Sequence, residues 1–167
     1  AYEIISYLSR KMQDVNGGFY SAEDADSEGE EGKFYVWSIN EIHDLLPTAE
    51  AELAIEVFNF TEDGNYKDEA SGRRTGKNIP HLTKSIEELA SERAMGKEQL
   101  TTTLESIRTK LLEARQERVH PLLDDKILTD WNGLMIAALA KAGRAFQNDS
   151  YIAEAEQCYR FIASNML

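Results

Sequence analysis

The acidic stretch GGFYSAEDADSEGEEGKFYVW, residues 17–37, holds the side chains best suited to chemistry in this sequence. It carries six carboxylates and a single lysine. Carboxylates at nearly alternate positions, Glu23, Asp24 and Asp26, can supply a general acid and a base or accept hydrogen bonds from sugar hydroxyls. An aromatic neighbour such as Tyr20 can stack on a pyranose ring. The same residues also fit a polar hairpin tip on the protein surface, and both interpretations stay open.

A metal site is not predicted for this stretch. An EF-hand loop that begins at Asp24 starts well but has Tyr35 at its twelfth position, where a bidentate glutamate is needed. Adventitious binding of Ca²⁺ or Mg²⁺ is the open alternative. The three histidines show no HxxxH or HxH spacing, and neither a P-loop nor a dinucleotide fingerprint is present. The sequence therefore predicts no metal and no cofactor.

A second dense group of polar residues, HPLLDDKILTDWNGL, covers residues 120–134. Asp124, Asp125 and Lys126 precede a turn, and Asp130 is suited to cap the helix that follows. Charged groups this close to the start of an apolar helix are expected near the interior of the domain. A ligand-binding role and a helix cap with a lysine–aspartate ion pair are both consistent with this pattern.

The composition is typical of one globular domain. The chain has 167 residues, 42% of them hydrophobic, and a mean hydropathy of −0.48, which is enough to bury a core. No apolar run approaches the ~20 residues that span a bilayer, and a net charge of −12 offers no basic face to nucleic acid. The sequence therefore predicts neither a membrane nor a nucleic-acid partner. The lone cysteine, Cys158, excludes an intrachain disulfide, is expected in the core and fits a cytoplasmic protein.

The elements that must position these polar stretches are predicted to be mainly helices. Apolar residues recur at three- and four-residue spacing, and capping boxes occur at Ser38 and Ser85. The predicted helices cover residues 1–12, 39–46, 48–58, 86–96, 97–118 and 131–146, with a last helix capped by Asp149 or Ser150 that runs to the chain end. The helix over 131–146 is apolar almost all round, so it is expected to be buried on several sides.

Two segments between the helices are predicted to be irregular or extended. Phe19-Tyr20 and residues 34–37 have strand propensity, and they predict one short β-hairpin near residues 19–37. Residues 59–81 are expected to be a loop, in which GKN at 76–78 is only a polar segment.

The two ends of the chain carry a weak internal repeat. The apolar pattern of residues 1–12 matches that of residues 155–166. The first helix has no cap before it and the last has no stop signal. Together these features predict that residues 1–167 are a single fragment of a longer array of helical hairpins.

Three motifs carry a resemblance to a known family. They are the acidic stretch at 17–37, NIPHL at 78–82 and LLDDKILTDWNGLMIAALAKAGRAF at 122–146. Together they resemble the thioredoxin-domain-containing YyaL-like family, which includes the spermatogenesis-associated thioredoxin-like proteins. The resemblance implies part of an (α/α) toroid like that of six-hairpin glycosidases and N-acylglucosamine 2-epimerases. By this resemblance, the sequence is expected to correspond to the toroid alone, without the family's N-terminal thioredoxin-like domain and later hairpins.

The resemblance also implies a site, because loops at one end of such toroids build the pocket. The two polar stretches would then line one cavity for a sugar-like ligand. The candidate catalytic residues are Asp24, Asp26 and Asp125, and the candidate ligand-binding residues are Tyr20, Glu23, Asp124, Lys126, Trp131 and Asn132. The alternative is a non-catalytic scaffold beside a thioredoxin-like domain. The expected partners are the remainder of the full-length chain and a second copy that covers exposed apolar helix faces.

Overall fold

The computed structural model describes residues 1–68 and 71–166 and confirms a mainly helical fold with little strand. Glu69 and Ala70 of the predicted loop, and Leu167 of the last predicted helix, lie outside the described residues. The helices are α1 (Tyr2–Lys11), α2 (Ile39–Leu45), α3 (Thr48–Val57), α4 (Ile86–Glu92), α5 (Lys97–Gln116), α6 (Thr129–Phe146) and α7 (Asp149–Asn165). The strands are β1 (Ala22–Glu23), β2 (Asp26–Ser27), β3 (Glu30–Glu31) and β4 (Leu123–Asp124).

The chain divides into two compact units. The first unit consists of Ala1–Asp24 and Leu122–Leu167, and the second consists of Ala25–Pro121. Strand β1 pairs with β4 in the first unit, and β2 pairs with β3 in the second, both antiparallel.

A helical hairpin of α6 and α7 is the main packing element of the first unit. Gln147 closes α6 in the left-handed conformation with φ of 52°. The side chain of Asn148 then caps α7 by accepting a hydrogen bond from the N–H of Ser150 at 3.0 Å. Asn148 is therefore the cap instead of the predicted Asp149 or Ser150, because the helix begins one residue earlier than the apolar pattern indicates.

The hairpin buries only one side of α6. The core of this unit consists of Phe19, Leu139, Ala155, Cys158 and Ile162. On the other side of α6, Leu134 is 73% exposed and Trp131 is 51% exposed. The expectation that α6 is buried on several sides is wrong, because α7 covers one side and leaves these apolar side chains to solvent. The predicted cap Asp130 lies inside the first turn, where its negative charge interacts favourably with the helix dipole. Leu128 occupies the N-cap position instead.

The second unit packs α2 to α5 around a core of its own. Leu100, Leu104, Ile107 and Leu111 of α5 are buried, and their three- and four-residue spacing is the pattern that predicted a helix over residues 97–118. Both predicted capping boxes are present, because the hydroxyl groups of Ser38 and Ser85 accept main-chain hydrogen bonds and the glutamates three residues later bond back.

The short β-hairpin lies within the predicted range, but acidic residues form it. β2 pairs with β3, so that Asp26 lies opposite Glu31. The aromatic segments do not pair with each other: Phe19 is bridged to Gln13, and Trp37 is bridged to Asn78. Phe19 and Trp37 belong to the cores of different units, and burial in separate cores prevents their pairing.

The loop over residues 59–81 is organised around the fully buried side chain of Asn78. Its Oδ1 accepts hydrogen bonds from the N–H groups of Thr61 and Asn65 at 2.9 and 3.0 Å. Its Nδ2 donates to the carbonyl groups of Thr61, Trp37 and Gly76 at 3.1 to 3.2 Å. The expectation that GKN is only a polar segment is wrong, because buried main-chain groups of this loop need partners and Asn78 supplies them.

Replacing Asn78 by Ala is expected to lower the free energy of unfolding by about 3 kcal/mol, since the buried N–H groups of Thr61 and Asn65 lose their acceptor. Urea unfolding followed by circular dichroism measures this change. The matched control is Asn40→Ala at an exposed position of α2, which is expected to cost less than about 0.5 kcal/mol. Equal costs for the two substitutions would contradict the role given to Asn78.

Candidate functional site

Strands β1 and β4 bring together the two polar stretches of the sequence. Ala22 lies opposite Asp124 in their register. The N–H and Oγ of Ser21 both donate to the carbonyl of Asp124, at 3.2 and 3.1 Å, across a separation of 103 positions in sequence. The N–H of Asp24 donates to the carbonyl of Leu122 at 2.8 Å. The acidic segments therefore form one antiparallel ribbon, the β1–β4 ribbon, within the first unit.

The side chain of Asn132 fixes the segment that leads into β1. Asn132 is 1% exposed. Its Oδ1 accepts from the N–H of Phe19 at 2.7 Å, and its Nδ2 donates to the Phe19 carbonyl at 3.0 Å. Nδ2 also donates to the Leu128 carbonyl at 2.9 Å, and Oδ1 accepts from the thiol of Cys158 at 3.2 Å. All four hydrogen-bonding positions of the amide are used inside the protein, so Asn132 positions the ribbon and offers no polar atom to a ligand.

We call the hydrogen-bonded amide of Asn132 the Asn132 clamp. Close packing around it explains the residue types of its neighbours. Burial raises the pKa of the Cys158 thiol, which keeps the thiol protonated as a donor to Asn132. A Cβ atom on Gly18 would lie 2.8 Å from both Ile127 Cδ1 and Phe161 Cε1. Only a glycine fits at position 18 without displacing these side chains.

The β1–β4 ribbon borders an open cleft of about 520 Å³. The cleft is lined by residues 22–24 and 122–126. Five predicted site residues therefore come together here, namely Glu23, Asp24, Asp124, Asp125 and Lys126. The cleft therefore brings together four carboxylates, which accept hydrogen bonds, and one ammonium group, which donates them.

Asp124 and Glu23 of the cleft bind side chains of the same unit. Asp124 Oδ1 lies 2.6 Å from Lys126 Nζ, and Glu23 accepts a hydrogen bond from the hydroxyl of Tyr7. The hydrogen bond from Lys126 lowers the pKa of Asp124. Asp124 is therefore ionised at neutral pH and suited to accept hydrogen bonds, whereas a general acid needs a raised pKa.

The other predicted site residues lie apart from this lining. The hydroxyl of Tyr20 donates to Asp14 Oδ2 at 3.1 Å, and this bond raises the pKa of Tyr20. Trp131 projects from α6 and is half exposed. Asp26 is exposed and begins β2 in the second unit.

Tyr7 belongs to the site through its hydrogen bond to Glu23, and the sequence pattern did not identify it. It occupies an apolar position of the α1 periodicity, and its ring is typical of a core-facing residue. Its bond to Glu23 depends on the chain reversal at residues 13–18, which no local signal in α1 reports.

The part of the chain that the structure describes contains no group of three or more histidine, cysteine, aspartate or glutamate side chains able to hold a metal ion. None of the helices described is both long and apolar enough to cross a membrane.

Comparison with known proteins gives relatives that are much longer than this chain. No protein-family model matches it. The chain is similar to Spermatogenesis-associated protein 20. The human protein is 34% identical and the mouse protein 32% identical over 180 residues, and each alignment covers 98% of this chain and 23% of the relative. An uncharacterised protein of Caenorhabditis elegans is 31% identical over 96% of this chain and 24% of its own length.

These relatives support the resemblance to the spermatogenesis-associated proteins that the three motifs indicate. The chain spans about 23% of the length of the human and mouse proteins. The similarity extends over nearly all of this chain, so both units have counterparts in those proteins.

Replacing Asn132 by Ala is expected to free the β1–β4 ribbon, because the main-chain groups of Phe19 lose their partners. Amide hydrogen exchange at Ser21 and Asp24 should accelerate, and the free energy of unfolding should fall by about 2 to 4 kcal/mol. Asn165→Ala is the matched control, since that exposed side chain bonds a single helix carbonyl. Unchanged exchange at Ser21 and Asp24 in the Asn132 variant would show that the clamp does not hold the ribbon.

Replacing Lys126 by Gln is expected to raise the pKa of Asp124 towards its ordinary value, because the hydrogen bond from Lys126 is the largest cause of its lowering. A carboxyl with a lowered pKa in the folded state stabilises the fold above its unfolded pKa. That stabilisation is lost as the pH falls through the folded pKa, so the variant should lose less stability on acidification.

A carbon-detected NMR titration of the Asp124 carboxyl measures this pKa. Lys141→Gln, at an exposed position of α6, removes the same charge and should leave the titration unchanged. An Asp124 pKa that is the same in the Lys126 variant as in the unsubstituted protein would refute the assignment.

Proposed function

We propose that the cleft beside the β1–β4 ribbon binds a polyhydroxylated, sugar-like ligand. The observation that carries this proposal is the grouping of four carboxylates and one lysine around one cleft by two segments distant in sequence. Carboxylates accept hydrogen bonds from hydroxyl groups, and the ammonium group donates to hydroxyl or ring oxygens. The volume of the cleft falls in the range of small-molecule sites.

The cleft residues take different roles in this proposal. Asp24 and Asp125 are exposed at the cleft, so we assign them to direct contact with the ligand and, in a catalytic site, to acid–base chemistry. Asp124 holds the ammonium group of Lys126 in place through their ion pair. Asp26, in the second unit, stays a predicted catalytic residue, and Trp131 stays a predicted ligand-binding residue.

We place this cleft in an (α/α) toroid of a longer cytoplasmic protein. In the family that the motifs resemble, such a toroid follows a thioredoxin-like domain and is related in fold to sugar-converting enzymes. The greater length of the relatives supports this placement. The exposed apolar side of α6, with Leu134 and Trp131, would then pack against further helical hairpins of the same chain.

The rival proposal is a non-catalytic helical scaffold. It is favoured by the binding of Asp124 to Lys126 and of Glu23 to Tyr7, because carboxylates engaged within the protein have less capacity for a ligand. In this proposal the exposed side of α6 is an interaction surface for the remainder of the chain or for a second copy.

A panel of mono- and disaccharides tested by amide chemical-shift mapping decides between the two proposals. A bound sugar is expected to shift the signals of residues 22–24 and 122–126. The double substitution Asp24→Asn and Asp125→Asn should weaken binding by about tenfold or more, since two acceptors lose their charge. Asp44→Asn, an exposed carboxylate of α2, is the control that should leave affinity unchanged.

Two results would contradict sugar binding at the cleft. One is a sugar that binds but shifts signals elsewhere. The other is an affinity that the Asp24 and Asp125 substitutions do not alter. The absence of binding by every sugar in the panel would favour the scaffold.

A further inference from the structure

A groove in the second unit has a chemical character opposite to that of the acidic cleft. Its volume is about 480 Å³, within the range of small-molecule sites. The side chains of Trp37, Phe58 and Leu111 form an apolar floor and are at most 8% exposed. Leu82 and Leu112 line the same groove with 47% and 37% of their surfaces exposed. We call this feature the arginine groove, after the two arginines that α5 contributes to it.

The two arginines lie seven residues apart on α5, and both line the groove. A separation of seven residues places them on one helix face, about 10 Å apart along the axis. Arg108 donates to Glu105 Oε1 at 2.8 Å, so its charge is balanced by a carboxylate of the same groove. Leu111 of the apolar floor lies between the two arginines on this face of α5.

Arg115 has no such balance. Its guanidinium carbon lies 5.6 Å from the ring centroids of both Phe34 and Tyr35, which holds the group in place by cation–π contact. Its Nε is buried and has no hydrogen-bond partner among the residues described. Within that same part of the chain no carboxylate forms an ion pair with Arg115.

Arg118, about one turn further along, is by contrast held by three hydrogen bonds. It donates to the carbonyl groups of Phe34 and Val36 at 2.9 and 2.8 Å and to Glu41 Oε1 at 3.1 Å. Its guanidinium carbon also lies 3.9 Å from the Trp37 ring centroid. Arg118 is therefore held by hydrogen bonds and an ion pair, whereas Arg115 carries a half-buried charge, held against two rings, at the edge of the groove that it lines.

A cation held among aromatic rings and removed from part of its water is stabilised by an anion. The guanidinium fork matches the two oxygens of a carboxylate, and the apolar floor matches a hydrocarbon or aryl body. Glu105 disfavours a second negative charge in the groove. We propose that the arginine groove binds a monocarboxylate with an apolar body, whose carboxylate pairs with Arg115.

Hexanoate, hexan-1-ol and acetate are suitable probes, because they separate the charge from the apolar body. We expect hexanoate to shift the indole N–H signal of Trp37 in a saturable titration, while that of Trp131, outside the groove, stays in place. Hexan-1-ol and acetate should each bind at least about tenfold more weakly, since each lacks one of the two contacts. Equal binding of hexan-1-ol would overturn the proposal, as would equal movement of both indole signals.

Substitutions test the assignment to Arg115. Arg115→Gln should weaken hexanoate binding by about tenfold or more, whereas the double substitution Arg108→Gln and Glu105→Gln should change it by less than about threefold, because it removes a balanced ion pair and leaves the net charge of the groove unchanged. Arg144→Gln, an exposed arginine of α6, is the control for loss of charge. Unchanged affinity in Arg115→Gln would refute the proposal. If that variant unfolds, the comparison of hexanoate with hexan-1-ol in the unsubstituted protein decides the question alone.

Discussion

A buried asparagine amide holds the irregular chain of each unit in place, and both candidate surfaces depend on it. In the first unit the amide of Asn132 binds the N–H and the carbonyl of Phe19. In the second unit the amide of Asn78 binds the N–H and the carbonyl of Thr61. A side-chain amide has the same donor and acceptor as a peptide group, so each asparagine replaces the neighbouring strand that these segments lack.

The residues that stabilise the loops are therefore different from the residues that could bind a ligand. The bonds of Asn78 and Asn132 are buried, where an unpaired group is costly and a complete network is rigid. The carboxylates at residues 23, 24, 124 and 125 lie at the half-buried or exposed edge of the ribbon, where they contribute little to folding. The main-chain pairing of β1 with β4 sets the positions of their backbones. Side chains there can be selected for binding without destabilising the fold.

The sequence predicted the elements that have a periodic or local signature. The helices followed from apolar spacing and from the capping boxes at Ser38 and Ser85, and five residues of the cleft followed from the acidic patterns and the family resemblance. The bond between Asn132 and Phe19 spans 113 positions, and such tertiary hydrogen bonds leave no periodic trace in a sequence. The burial of α6 was overestimated for a related reason, since an apolar composition shows that a helix can be buried but not what lies beside it.

The net charge of the chain has the same sign as the acidic cleft, but it does not indicate the positive charge of Arg115 at the arginine groove. At physiological ionic strength exposed charges are screened over about 8 Å, so the excess of carboxylates acts weakly on a bound group. Arg115 lies against two aromatic rings, where solvent screening is reduced and its local field is stronger. The overall charge of −12 therefore affects the rate at which an anion approaches more than the contact it makes once bound. An acidic protein can therefore bind an anionic ligand, because the screened repulsion from its distant carboxylates is weaker than the local attraction of Arg115.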